Sequence, residues 1–242
     1  MYYSKKVVVS GSIIEVYEYD KIQKRGYTIK KKREKKGQLE FELDKIKIKR
    51  MDSVNRTRTL IRRLINANPE LNKFITLTFA ENITDITFAN RYFSKFIMRL
   101  KYRYPNIKYI AVIEFQRRGA VHYHMLMNDN YLPNALLSEI WGMGFVKINK
   151  IDHVDNVGAY VCKYLSKDTI DDRMWNRKKF FCSKNLNVSF TFFTEKEIEN
   201  IKNSYELIDF EPVYKSEFDN KYVGKVKYSQ YNVRNSKTNI TT

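Results

Sequence analysis

The sequence predicts an α+β fold in which helices pack on one face of a central antiparallel sheet. Two observations predict it: β-branched or alternating segments interchange with helical ones, and two strands are joined by a tight hairpin. At 242 residues, the chain can hold one large domain with extensions. We assign residues 1–50 to a basic, β-rich N-terminal extension, residues 51–190 to the main domain and residues 191–242 to a C-terminal extension.

The local patterns place the elements in order along the chain. Two β-like runs, at residues 6–9 and 13–19, are followed by a helix over residues 54–66, where apolar side chains recur at helical spacing before Asn68-Pro69. The next predicted elements are a buried strand (74–79), a long helix (86–104), a hairpin (108–116 and 120–127), a short helix (133–141), a strand (145–150) and a helix (154–167). A helix over residues 195–203 and β-like runs to residue 233 complete the chain.

Composition favours nucleic acid as the partner. The chain carries 45 Lys and Arg against 27 Asp and Glu, a formal charge of +18, and such a surface binds polyanions by displacing their counterions. Residues 1–50 contain 15 basic and seven acidic residues, which indicates either a surface that tracks a DNA strand or a solvated charged loop. Cys162 and Cys182 have no paired spacing, and the chain has neither a long apolar run nor a secretory signal. We therefore expect a cytoplasmic protein with no membrane partner.

Two of the three histidines, His122 and His124, are two residues apart in a predicted strand, so both imidazoles point to the same face of the sheet. Two imidazoles in this arrangement can bind one divalent ion if a neighbouring strand supplies a third ligand. The alternative is that both are ordinary strand residues whose ring nitrogens are satisfied by hydrogen bonds. His153, at a predicted helix start, needs only a capping role.

The hairpin turn identifies the third ligand. A three-residue loop at 117–119, with its glycine in the left-handed region, pairs Gln116 with Ala120 and sets Glu114 opposite His122. A loop one residue shorter or longer would turn Glu114 to the other face. Gln116, two residues after Glu114, would point to the same face and is the weaker alternative ligand.

The helix over residues 154–167 carries a polar face of two phenols and two ammonium groups. These are Tyr160, Lys163, Tyr164 and Lys167, at positions i, i+3, i+4 and i+7. A phenol has a pKa near 10 and attacks a phosphodiester only if its anion is stabilised or the phosphate is activated. A solvated amphipathic surface is the alternative, because tyrosine is common in this chain, at 18 residues.

Three segments together resemble the motifs of the HUH endonuclease superfamily: Phe74–Phe79, His122-Tyr123-His124, and Tyr160 to Lys167. Their order and spacing are similar to those of rolling-circle replication initiators of bacterial plasmids and single-stranded DNA phages, in the branch with two tyrosines. The resemblance covers about residues 54–185. Tyr123 stands where the family has an aliphatic residue, and its ring faces away from the histidines.

The resemblance implies a five-stranded antiparallel sheet of RRM-like topology and a site for Mg²⁺ or Mn²⁺ formed by His122, His124 and Glu114. It also implies that Tyr160 or Tyr164 attacks single-stranded origin DNA, leaving a 5′-phosphotyrosine and a free 3′-OH for rolling-circle synthesis, and that the second tyrosine religates the strand. The sequence does not indicate which of the two tyrosines attacks first. Two imidazoles and a carboxylate would also suit Zn²⁺.

Further roles follow from charge and position. Lys163 either positions the phosphate or stabilises the phenolate, and Lys167 lies on the same face. We expect four arginines to contact DNA, two in the hairpin loop and two in the first helix: Arg117, Arg118, Arg62 and Arg63. Because the chain has no phosphate-binding GxxxxGK[ST] loop, a separate helicase and a DNA polymerase are the expected partners.

Two other functions remain open at this point. An HUH transposase or relaxase would share the metal site, although such transposases carry one tyrosine and relaxases tend to add a third histidine. A non-catalytic nucleic-acid-binding protein would use an RRM-like sheet only to stack bases. A covalent protein–DNA adduct separates the enzymes from the binding protein.

Overall fold

The computed structural model describes residues 1–26, 39–128, 132–151, 161, 172–174, 177–207, 211–220 and 222–233. The chain divides into two compact units, Gln38–Asn187 and a second one formed by Met1–Gly37 with Val188–Thr242. Within the described residues each unit contains a five-stranded antiparallel sheet. The predicted α+β class is therefore confirmed.

The sheet of unit Gln38–Asn187 has the strand order β6-β3-β5-β4-β7. Its strands are β3 (Leu71–Phe79), β4 (Tyr109–Phe115), β5 (Val121–Asn128), β6 (Gly144–Lys150) and β7 (Phe180–Cys182), and its helices are α1 (Leu39–Asn66), α2 (Ile86–Arg103) and α3 (Asn134–Trp141). These bounds agree with the predicted ones to within a residue or two, apart from α1, β3 and the unpredicted β7.

One face of this sheet is covered by α2 and α3. The odd-numbered residues of β4 and β5 point to it and form the main core with the apolar side of α2. Tyr123 lies here, fully buried and stacked on Phe93 of α2 with ring centroids 4.4 Å apart. Its hydroxyl donates to Asn90, 2.8 Å away. At the start of α2, Asp85 accepts a hydrogen bond of 2.8 Å from the backbone N–H of Thr87.

The opposite face is covered by α1. Ile61, Leu64 and Ile65 of this helix form a second core with sheet residues that include Phe74 and Leu126. The expectation that helices cover only one face was wrong. The reason is that the apolar side of α1 needs a surface to bury, and the even-numbered residues at one end of β3, β4 and β5 provide it.

The first helix is longer than predicted, because it begins at Leu39 instead of near Val54. Residues 39–50 alternate apolar and charged side chains, which favours a strand. The same segment is rich in Glu, Leu and Lys, with its acidic residues first, and both properties stabilise a helix. Helix propensity prevails here over the alternating pattern.

At the edge of the sheet, β6 approaches β3 so closely that its first residue must be glycine. A Cβ built on Gly144, which has φ +150°, would lie 2.3 Å from the carbonyl oxygen of Thr78. Real Cβ atoms do not approach backbone oxygen so closely, so a side chain here would push β6 away from the sheet.

The other unit has the strand order β8-β1-β2-β10-β9. Its elements are β1 (Tyr2–Ser10), β2 (Ile13–Lys24), β8 (Phe190–Phe192), β9 (Tyr214–Asn220), β10 (Gly224–Asn232) and the helix α4 (Glu195–Ser204). Residues 1–50 and 191–242, predicted to form two extensions, both contribute strands to this sheet. The Tyr228 hydroxyl of β10 donates to Glu15 of β2 across 213 residues of sequence, a pairing that no local pattern reveals.

Candidate metal centre

The β4–β5 hairpin has the predicted register. Gly119 has φ +86° and donates to the carbonyl of Gln116 at 2.7 Å, and Gln116 donates to the carbonyl of Ala120 at 2.9 Å. Glu114 therefore pairs directly with His122. The three-residue loop thus places Glu114, His122 and His124 on one face of the sheet, as the sequence predicts.

These three side chains converge. One donor atom from each of Glu114, His122 and His124 lies within 4.8 Å of the others. The two imidazole rings are 5.9 Å apart and nearly perpendicular, and Nε2 of His124 contacts Oε2 of Glu114. Two nitrogens and a carboxylate at this separation match the ligand set that divalent cations such as Mg²⁺, Mn²⁺ and Zn²⁺ accept.

His122 is held in the neutral form. The pKa of its imidazole is lowered from 6.5 to about 4, mainly by burial; the neighbouring His124 and Arg118 contribute to this lowering, and Glu114 opposes it. Its Nε2 is buried and has no hydrogen-bond partner among the described residues. A buried ring nitrogen without a partner is costly, and a cation would satisfy this one when the proton is on Nδ1 and Nε2 carries the lone pair. The residues present therefore fit a divalent metal.

His124 is oriented from its far side. Its Nδ1 lies 3.2 Å from the Thr76 hydroxyl on β3, and its ring stacks on Phe74, with centroids 5.4 Å apart and planes 12° apart. When Nδ1 carries the proton and donates it to Thr76, the lone pair of Nε2 points at Glu114 and the candidate metal position. Partners of this kind fix the tautomer of a metal-binding histidine.

The predicted alternative ligand is engaged elsewhere. Oε1 of Gln116 accepts a hydrogen bond of 2.8 Å from Nε of Arg118, whose Nη2 also donates to the carbonyl of Phe79 at 3.3 Å. Arg118 is thereby fixed beside the histidines, and Arg117 is exposed in the same loop. Both loop arginines thus lie at the end of the hairpin that carries the candidate metal ligands.

The other two arginines predicted to contact DNA lie on α1. Arg62 and Arg63 are half-buried and lie near the C-terminal end of this helix, beside residues that pack over Phe74 and Leu126. On this face of the sheet, His124 lies between Leu126 and His122 on β5, and Thr76 follows Phe74 on β3 in the direction of His122. The structure therefore brings Arg118 to the candidate centre, whereas Arg62 and Arg63 lie on α1, next to residues that pack over Phe74 and Leu126.

The predicted helix over residues 154–167 lies outside the described residues except for Val161. Tyr160, Lys163, Tyr164 and Lys167 thus lie outside the described part of the chain. Val161 is helical and 1% exposed, and it belongs to the same core as Phe74, Val112 and Leu126. These sheet residues share the face of Glu114, His122 and His124, so Val161 packs on the metal-binding side of the sheet.

Two contacts near the site were not foreseen. The Thr76–His124 contact joins β3 to β5, strands whose register depends on a long connection, so the sequence gives no local signal for it. Arg173 lies over the Phe115 ring at 3.7 Å and donates to the carbonyl of Gly119 at 3.0 Å, which ties a later segment to the hairpin loop. An isolated arginine in a weakly patterned segment gives no sequence signal either.

An antiparallel sheet that presents a His-x-His strand and a facing carboxylate on one side is consistent with an HUH-type replication initiator. Residues 72–169 match the model of a family of replication-associated proteins that is described by its member ORF2. This match begins in β3, contains the whole candidate centre and extends through the tyrosine segment, and it supports a role in replication initiation. No curated protein matches the chain, and no solved structure does. Among the described residues, no helix is long and apolar enough to cross a membrane.

Proposed function

We propose that this chain is a metal-dependent endonuclease and strand transferase that starts rolling-circle replication by nicking single-stranded origin DNA with a tyrosine. The observation that carries the proposal is the convergence of Glu114, His122 and His124 within 4.8 Å on one face of the sheet. Val161 packs on that face, and it follows Tyr160 directly in the sequence. A separate helicase and a DNA polymerase would open and extend the nicked strand.

In this proposal Glu114, His122 and His124 hold Mg²⁺ or Mn²⁺. The cation would polarise the scissile phosphate and offset the negative charge that develops on it. The protein contributes two prepared features. His122 is neutral at pH 7, so it needs no deprotonation before binding a metal, and Thr76 with Phe74 holds the ring of His124 in place.

The nucleophile would be Tyr160 or Tyr164. Its phenolic oxygen forms a bond to phosphorus while the bond from phosphorus to the 3′ oxygen breaks. The phenol loses its proton to solvent, and the 3′ oxygen takes one up, which leaves a 5′-phosphotyrosine and a free 3′-OH. Lys163 and Lys167, on the same predicted helix face, would stabilise the phenolate and the phosphate. The second tyrosine would attack in the closing transesterification.

The four arginines would bind the DNA backbone around this point. Arg117 and Arg118 lie at the hairpin end that carries Glu114 and His122, and Arg62 and Arg63 lie on α1, the helix that covers the same face. Backbone contacts of this type set the register of a strand without reading its sequence. They would draw the strand across the face that carries the metal ligands.

A covalent adduct tests the chemistry. The full chain is incubated with single strands tiled across the replicon that encodes it, with Mn²⁺ or with EDTA, and separated under denaturing conditions. We expect an adduct with Mn²⁺ only, reduced in Tyr160→Phe or Tyr164→Phe and absent from the double variant. Tyr102→Phe is the matched control, because Tyr102 lies on α2 with 92% of its surface exposed.

Two results would contradict the proposal. One is an adduct that persists in the double variant, since the nucleophile would then lie elsewhere. The other is tight binding of the strands with no adduct in Mn²⁺, which would favour a non-catalytic nucleic-acid-binding protein. Peptide mass mapping of the adduct assigns the first attack to one tyrosine. A transposase or relaxase would also give the adduct but would join the cut strand to a different DNA instead of circularising it.

A further inference from the structure

Two cations lie together beside the candidate centre without a described acidic partner. Nζ of Lys179 donates a hydrogen bond of 2.6 Å to the hydroxyl of Ser53 on α1, and the charge of Arg56, one turn farther along α1, acts on Lys179. Arg56 donates through Nε to the carbonyl of Asp52 at 3.2 Å, and its two terminal nitrogens form no hydrogen bond with the part of the chain that the structure describes. Neither cation forms an ion pair with any residue that the structure describes.

This arrangement is unfavourable in the unliganded protein. Desolvation is the larger cause of a lowered pKa at Lys179, and the positive charge of Arg56 adds to it. A protein surface usually separates two like charges or neutralises them with a carboxylate. An anion between the two cations would relieve both the repulsion and the desolvation, and the Ser53 hydroxyl still has a proton to donate to it.

The sheet register places this pair next to the candidate centre. Phe180 of β7 pairs with Val112 of β4, and Val112 pairs with His124 of β5. Lys179 directly precedes Phe180, and its Nζ reaches Ser53 of α1, the helix that covers this face of the sheet. Phe180 packs in the same core as the inner side of α1, so α1 and β7 meet on the face that carries the metal ligands.

We propose that Lys179, Arg56 and Ser53 form a binding site for a backbone phosphate of the DNA strand, next to the phosphate at the candidate metal centre. The proposal rests on the proposed function, because it assumes that a DNA strand crosses this face. One bound phosphate here would define the direction in which the strand leaves the centre. The hairpin arginines would hold the strand on the opposite side of Glu114.

The test measures binding of a fluorescein-labelled single-stranded oligonucleotide in EDTA, from about 50 to about 200 mM salt. Lys179→Gln should weaken binding roughly tenfold at the lowest salt, the worth of one charge-assisted contact. It should also reduce the slope of log K against log salt by about 0.7, the value for one phosphate of a single strand.

Lys178→Gln is the matched control. Lys178 is the adjacent residue with the same charge, but it is exposed and lies 4.9 Å from the ring of Phe181, which packs against the core on the other face. We expect this variant to change the slope by less than half as much as Lys179→Gln. Equal losses in the two variants, or an unchanged slope in Lys179→Gln, would overturn the proposal.

Thermal unfolding without DNA excludes a purely structural role. If Lys179 served only to tie α1 to β7 through Ser53, Lys179→Gln would lower Tm. A phosphate site predicts an equal or higher Tm, because the substitution removes an unfavourable positive charge. Binding in EDTA does not depend on cleavage, so the two proposals can fail separately. If no adduct forms but Lys179→Gln weakens binding as expected, only the nicking chemistry is contradicted. If the adduct forms but Lys179→Gln binds like wild type, only this phosphate site is contradicted.

Discussion

The stability of the metal-free protein should fall on acidification because of His122. Burial lowers the pKa of this imidazole from 6.5 to about 4 in the folded state. Between these two values the unfolded chain binds the proton and the folded chain does not. The contribution of His122 is therefore complete above about pH 6.5 and is lost as the pH falls towards 4.

The size of the effect follows from the shift. At 1.36 kcal/mol per pKa unit, a shift from 6.5 to about 4 corresponds to at most about 3 kcal/mol of unfolding free energy. At pH 5 the loss is about 2 kcal/mol, because the unfolded imidazole is then mostly protonated and the folded one is not.

Urea unfolding of wild type and His122→Gln in EDTA, at pH 7, 6, 5 and 4.5, measures this quantity. The unfolding free energy of wild type should fall by about 2 kcal/mol more than that of His122→Gln between pH 7 and 5. Other titrating groups cancel in the difference between the two proteins. Parallel pH profiles would refute the reasoning, since His122 would then not be held neutral by the fold.

Three further substitutions test the residues that support the site and its fold. Thr76→Val should weaken Mn²⁺ binding, measured by calorimetry, roughly 10- to 100-fold because the partner of His124 Nδ1 is lost, and Thr76→Ser should restore it; equal affinity in both variants would contradict this role. Gly144→Ala should lower the free energy of unfolding, measured in urea, by more than about 3 kcal/mol or prevent folding, because the added Cβ would lie 2.3 Å from backbone. A urea midpoint equal to that of wild type would contradict the close approach. Asp85→Ala should cost about 1 kcal/mol through loss of the α2 cap; Asp85→Asn, which keeps the acceptor, should cost less.

The local part of the candidate site was predictable because all of its determinants lie within one hairpin. The glycine at position 119 and a three-residue loop fix the register, and the register fixes which side of the sheet Glu114 occupies. Period-2 alternation places His122 and His124 on that side. None of these steps needs a contact from a distant part of the chain.

What the sequence could not predict depends on long-range pairing. The position of Thr76 beside His124 requires the β3–β5 register, and 41 residues separate Phe79 from the start of β5 at Val121. The short strand β7, which brings Lys179 to the edge of the same sheet, has only three residues and too little pattern to be recognised. Even the length of α1 was hidden, because its first turns alternate like a strand.

The shared sheet of the two chain ends has a consequence for how the protein is made. Strands β1 and β2 are synthesised long before β10, which pairs with β2. The unit Gln38–Asn187 is continuous and can fold while the chain is still growing, whereas the other unit must wait until β10 has been synthesised. A nonsense mutation anywhere before Gly224 would therefore leave the N-terminal hairpin without its central neighbour and expose an unpaired strand edge to aggregation.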